Sequence, residues 1–188
     1  MGLVPTLVLG FVVVGVLVYV VMIYNGLIAM RNDIDKSWAN IDVLLKQRHD
    51  ELPRLVDVCK GYMQYERETL QKLIEARSLY ANATTIDQKV RASGDLTASV
   101  GKVFAVAENY PALKANQSFL EIQKRITELE SEIADRREFY NDSINVFNTR
   151  LQQMPDTYVA AFFGIRPRLM FVVSPTEKTP VRLALNTR

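Results

Sequence analysis

The chain has 188 residues and a net charge of +2, with Lys and Arg nearly balanced by Asp and Glu. That length holds one domain with an appendage, and the even charge excludes a general nucleic-acid binder. The single cysteine, Cys59, excludes an internal disulfide framework, and its helical spacing predicts a buried small hydrophobe rather than a reactive thiol.

A mean hydropathy near zero conceals two unlike parts. Residues 2–30 carry no charged side chain, whereas the remainder is rich in Glu, Lys and Arg. Residues 3–23, dominated by Val and Leu, are the length that crosses a bilayer core as a helix. Lipid leaves no other way to satisfy the backbone, so helix is expected despite the β-branched side chains. Pro5 suits the first turn, and Tyr19 and Tyr24 lie where an aromatic belt forms. The run lacks the basic start, the short apolar length and the small-residue cleavage site of a signal peptide, so an uncleaved single-pass anchor is expected. Gly2 with Thr6 matches a myristoylation pattern by chance, because an apolar span needs no added acyl chain. Arg31, Lys36, Lys46 and Arg48 follow the span and no basic residue precedes it. The body is therefore expected on the cytoplasmic side.

Beyond Met30 a 3-4 spacing runs through Ile34, Trp38, Ile41, Leu45, Arg48, Leu52, Leu55, Cys59 and Tyr62, then Glu66, Thr69, Leu73, Ala76 and Tyr80. This predicts one coiled-coil-like helix of nearly fifty residues. Pro53 should kink it or free the carbonyl of His49, and Gly61 is a second weak point. Residues 81–94 break the pattern and read as a connector; Asp95 then caps a short helix through Leu96, Val100, Val103, Val106, Ala107 and Tyr110, ended by Pro111. A third helix starts near Asn116 or Ser118. Its seam is Phe119, Ile122, Ile126, Leu129, Ile133, Arg136, Tyr140, Ile144, Phe147, Leu151 and Met154. Pro155 ends it, and a short helical piece stops at Gly164. The tail, 165–188, is basic and holds three prolines; it reads as a loose arm able to touch anionic lipid, with a possible short strand at 169–173. The expected fold is all-α: a transmembrane helix continuing into an elongated antiparallel helical bundle. Its parts are an anchor at 1–30, a bundle at 31–164 and the tail.

Several motifs now stand in one order. YNGLIAMRN, Trp38, IDVLLKQRHDELPRLV, KGY and Ala76-Arg77 resemble the N-terminal signature of the LemA family. AENYPALKAN, Phe119-Leu120, RREFYN, FNTR and the segment from Pro155 to Gly164 resemble its later motifs, so the likeness covers roughly residues 20 to 168. Tyr65 departs from it, since the family often has His before the glutamate. The resemblance implies a bacterial membrane-anchored protein with a long helical bundle and no agreed catalytic activity. One branch is associated with magnetosome membrane formation, and some relatives are encoded near a membrane metalloprotease of the HtpX type.

His49 is the only histidine and sits beside Asp50 and Glu51. A zinc site needs three or four ligands, mostly His and Cys, and this chain has one of each. No nucleophile motif, phosphate loop or H-E-x-x-H pattern occurs. His49 is therefore expected as a structural histidine at the Pro53 kink. No cofactor, metal or catalytic residue is expected, and no enzyme. Arg48, Glu66 and Arg136 interrupt the seams, either as buried polar contacts that fix helix register or as exposed residues that helical drift carries onto it. Drift is the preferred reading for Glu66; for the arginines both stay open. Polar residues of the motifs, Asn148 among them, fit caps and interhelical hydrogen bonds. The structural or assembly candidates are thus Trp38, Arg48, His49, Pro53, Arg136 and Asn148. The expected function is a self-assembling helical scaffold that organises or shapes the bacterial inner membrane, with the bilayer and a homo-oligomer as partners. The alternative is a regulatory adaptor for a membrane protease or other envelope-stress protein.

Overall fold

A computed structural model describes residues 2–171 of the chain. Six helices follow one another: α1 Leu3–Lys60, α2 Arg67–Asn82, α3 Ile86–Ala107, α4 Pro111–Lys114, α5 Gln117–Gln152 and α6 Asp156–Phe163. No strand occurs among the described residues, and the fold is an all-α bundle led by one long apolar helix. Leu169, Met170 and Phe171 carry no regular structure; the rest of the expected strand and of the basic arm lies outside the described residues.

The chain forms two compact units. The first joins Met1–Val43 to Ile133–Met170. From Leu3 to Tyr19 every residue of α1 is exposed, and the first buried side chains are Ile23 and Leu27. This stretch is long and apolar enough to cross a membrane, and nothing among the described residues covers it. Further along, Trp38 meets Tyr140 with ring centroids 5.8 Å apart, and Met30 meets Arg150. As α1 advances α5 recedes, so the two helices are antiparallel here. Ile34, Ile41, Ile133, Ile144 and Phe147 fill the contact. Each such burial contributes roughly 1.5–3 kcal/mol.

The second unit consists chiefly of Leu44–Glu132. Its core gathers Leu52, Leu55 and Cys59 of α1, Leu73 and Ala76 of α2, Leu96, Val100 and Val103 of α3, Leu113 of α4, and Phe119, Ile122 and Ile126 of α5. All but Leu113 are apolar positions of the three seams; of the remaining apolar seam positions, Tyr62 and Met154 are exposed.

The breaks fall elsewhere than expected. The single helix running to Tyr80 is two helices, separated at residues 61–66. Gly61, the second weak point, marks the break, while Pro53 lies inside an unbroken α1. Met63 then turns fully into the core, and Tyr62 receives a hydrogen bond from Asn116 Nδ2 at 3.1 Å. The expected connector at 81–94 shrinks to three residues. Thr85 opens α3 with a capping box, its hydroxyl accepting from the Gln88 amide while the Gln88 side chain accepts from the Thr85 amide. Asp95 is therefore a residue within α3, not its cap, and Pro111 begins α4 rather than ending α3. Asn116 does cap α5: its Oδ1 accepts from the Phe119 amide at 3.1 Å. Gly164 closes α6 at φ 67°, the left-handed turn that favours glycine.

Candidate functional site

In the second unit the chemistry-bearing side chains converge on Arg48. Seam spacing points it inward, and it is completely buried. Its guanidinium pairs with Glu130 of α5. Nη1 also donates to Thr97 Oγ1 at 2.7 Å, and Nη2 to Ser93 Oγ at 2.9 Å and to the Ser93 carbonyl at 3.3 Å. The Thr97 hydroxyl lies within 3.3 Å of both Glu130 carboxylate oxygens and 3.1 Å from the Ser93 carbonyl. Ser93 and Thr97 stand one helical turn apart on α3, so a single arginine ties α1, α3 and α5 together. A buried charge costs several kcal/mol unless paired and hydrogen-bonded. Here both terminal nitrogens are so held, while Nε has no hydrogen-bond partner among the described residues. Arg48 is therefore a buried polar contact and not a product of helical drift.

His49 and Pro53 complete this region. Pro53 has no amide hydrogen to give the His49 carbonyl. Arg77 of α2 supplies one instead, its Nε donating to that carbonyl at 3.4 Å. The His49 ring packs 5.6 Å from the ring of Tyr80, and Nδ1 lies 3.2 Å from Asp50 Oδ1. No group of three or more His, Cys, Asp or Glu comes together among the described residues. Burial pushes the Cys59 thiol up to about 11, which keeps it protonated and unreactive at neutral pH. Glu66 lies half-buried at the start of α2 and accepts from Tyr110 Oη at 3.4 Å; burial and that carboxylate hold the Tyr110 hydroxyl above its usual value.

The first unit arranges its polar groups differently. Arg136 is exposed, so drift accounts for it. Asn148 makes a reciprocal pair with the backbone of Arg168: Nδ2 donates to the carbonyl and Oδ1 accepts from the amide, both at 2.9 Å. Arg150 Nε donates to Asp156 Oδ1 at 2.7 Å, which fixes the start of α6, and Nη1 reaches Met30 Sδ at 3.5 Å. Gly26 gives this guanidinium room, since a Cβ there would stand 3.0 Å from Arg150 Nη2. The Phe163 and Tyr24 rings meet at a tilt of 46°, their centroids 4.5 Å apart. Between these elements lies an open recess of about 390 Å³, its lining including Tyr24, Arg31, Phe163, Arg166 and Arg168.

Glu130, Ser93, Thr97, Arg150 and Asp156 were not singled out from the sequence. The four-residue spacing of Ser93 and Thr97 is a usable signal, divided by the expected boundary between the connector and the helix after it.

Residues 37–184 match the profile of the LemA family, which is most of the chain. The chain belongs to the LemA family. Among LemA-like relatives, Protein LemA of Metamycoplasma hominis is 27% identical, covering 84% of this chain and 72% of its own. Magnetosome protein MamQ 2 of Paramagnetospirillum magneticum is 22% identical over 90% of this chain and 72% of its own. Magnetosome protein MamQ of Magnetospirillum gryphiswaldense is 21% identical over 85% of this chain and 68% of its own. Membership agrees with a membrane-associated helical protein.

Proposed function

We propose that the protein is a non-enzymatic, single-pass membrane protein whose helical body self-associates into a scaffold that organises or shapes the bacterial inner membrane. The observation that carries this reading is α1 itself: an uncovered apolar stretch continues without a break into the packed seam of the body. Any force or position imposed on the body is thereby transmitted to the bilayer. Self-association draws on Phe139 and Val146 of α5, seven residues apart on one helical face, 61% and 58% exposed. Two large apolar side chains on one face are better covered than solvated, and a second copy of the chain offers the same face. The basic residues after the span favour a cytoplasmic body. The names of the magnetosome relatives, taken as pointing to a membrane compartment, lean the same way.

A photo-crosslinking residue at Phe139, activated in living cells, tests this. The expected main adduct is twice the mass of the chain, and it weakens in Val146→Glu. A main adduct with a different membrane protein would replace the scaffold by the adaptor reading.

A further inference from the structure

The exposed surface around α6 is richer in large apolar side chains than a short solvent-facing helix needs. Tyr158, Phe162 and Leu169 are 65%, 85% and 77% exposed, all within twelve residues of chain. Their position identifies what covers them. The Phe163 ring packs against Tyr24, the first residue after the apolar span, and Asp156 is tied to Arg150 beside Gly26. Helix α6 thus lies along the turns of α1 that emerge from the hydrocarbon, where aromatic rings are most at home. Arg31 follows the end of the span by eight residues, about 12 Å along the helix, and a long side chain can reach back from there to the headgroup layer. Arg31, Arg166 and Arg168 line the recess beside Phe163. Arg168 reaches Asp35 at 3.2 Å, whereas Arg31 and Arg166 have no ion-pair partner among the described residues. The reciprocal Asn148 bonds fix the backbone that presents Arg166 and Arg168.

We propose that α6 and residues 164–169 form a bilayer-seated foot: Tyr158, Phe162 and Leu169 enter the acyl–headgroup boundary, and Arg31 and Arg166 hold the phosphate of an anionic phospholipid. This rests on the membrane-anchored reading above and adds to it a second, lipid-selective attachment. The foot fixes how the body stands on the bilayer, which a single span that can rotate does not. Arginine suits the task because its fork matches phosphate oxygens.

The test uses the full-length chain with Trp38→Phe, reconstituted in vesicles of phosphatidylcholine and phosphatidylglycerol with brominated acyl chains on one or the other. Fluorescence of Phe162→Trp should be quenched by bromines near the headgroup, and more by brominated phosphatidylglycerol than by brominated phosphatidylcholine. That preference should fall by about fivefold for each charge removed in Arg31→Gln and Arg166→Gln. Val12→Trp reports the span and should be quenched by deep bromines. If Phe162→Trp is unquenched while Val12→Trp is quenched, the foot faces water or a protein and the proposal is overturned, with the anchor intact. Equal quenching by both lipids, unchanged in the arginine variants, overturns the phosphate site. An unquenched Val12→Trp overturns the foot and the anchor together.

Discussion

Arg48 and Arg150 carry the same side chain, each from a long helix, and the two units treat it in opposite ways. In the second unit Arg48 is wholly enclosed and its partners come from two other helices. In the first unit Arg150 stays partly exposed and pairs with Asp156 only six residues away, bracing a local turn. An enclosed arginine fixes the register of several helices at once, because any sliding strands a charge in an apolar core. A half-exposed one anchors a short element and keeps water as a second partner. The interior of the second unit is thus specified by polarity as well as shape, and the first unit spends its polar groups on a surface.

The largest effect should come from breaking the pair between the enclosed Arg48 and the partly exposed Glu130. Arg48→Ala or Glu130→Ala should each destabilise the detergent-solubilised protein by about 3–5 kcal/mol, read from chemical denaturation followed by helical circular dichroism. The double variant should lose clearly less than the sum, because neither charge is then left alone. Additive losses would show that the two residues do not act as a pair.

High pH probes the same interior. The folded Cys59 pKa of about 11 lies above its ordinary value near 9, so its contribution is complete below pH 9 and disappears as pH rises through 11. Stability should fall by about 2–3 kcal/mol over that window. Tyr110, whose hydroxyl is also held up, adds in the same direction. Cys59→Ala should remove the cysteine's share of the slope, and an unchanged slope would place the thiol in contact with water.

On the other side of the comparison, Arg150→Ala should cost about 1–2 kcal/mol, the worth of one partly solvated charged hydrogen bond. A loss as large as that of Arg48→Ala would erase the distinction between the two units. The smallest effect belongs to Arg136→Ala, which should stay within about 0.5 kcal/mol because the side chain is exposed.

Arg48 and Arg136 also show how far sequence reasoning reached. Both interrupt an apolar seam at the same kind of position, yet one is buried and the other solvated. Heptad arithmetic cannot separate them, because a straight helix drifts against it by several degrees each turn. The seams themselves were legible, since large apolar residues such as Ile41, Leu52, Ile126 and Ile144 recur at helical spacing and are all buried. The first half of α3 was not, because its inward face is built from Ala92 and Ser93, too small to register as a stripe. Its Thr85–Gln88 capping box is the one signal in the sequence that marks where the helix begins. Pro53 leaves the His49 carbonyl without its helical partner, one of the two outcomes expected, but the Arg77 side chain that occupies it comes from another helix and is invisible along the chain. Glu130 was hidden for the same reason: a flanking glutamate on an amphipathic helix becomes an ion-pair partner only once the helices meet.

The central claim is a membrane-anchored body that assembles with itself. Mass photometry of the full-length protein in detergent or nanodiscs, across a range of concentrations, tests it most directly. The account predicts discrete multiples of the chain mass that grow with concentration and diminish in the Phe139→Glu, Val146→Glu double variant. A single monomeric species at every concentration, unchanged by that variant, would contradict it.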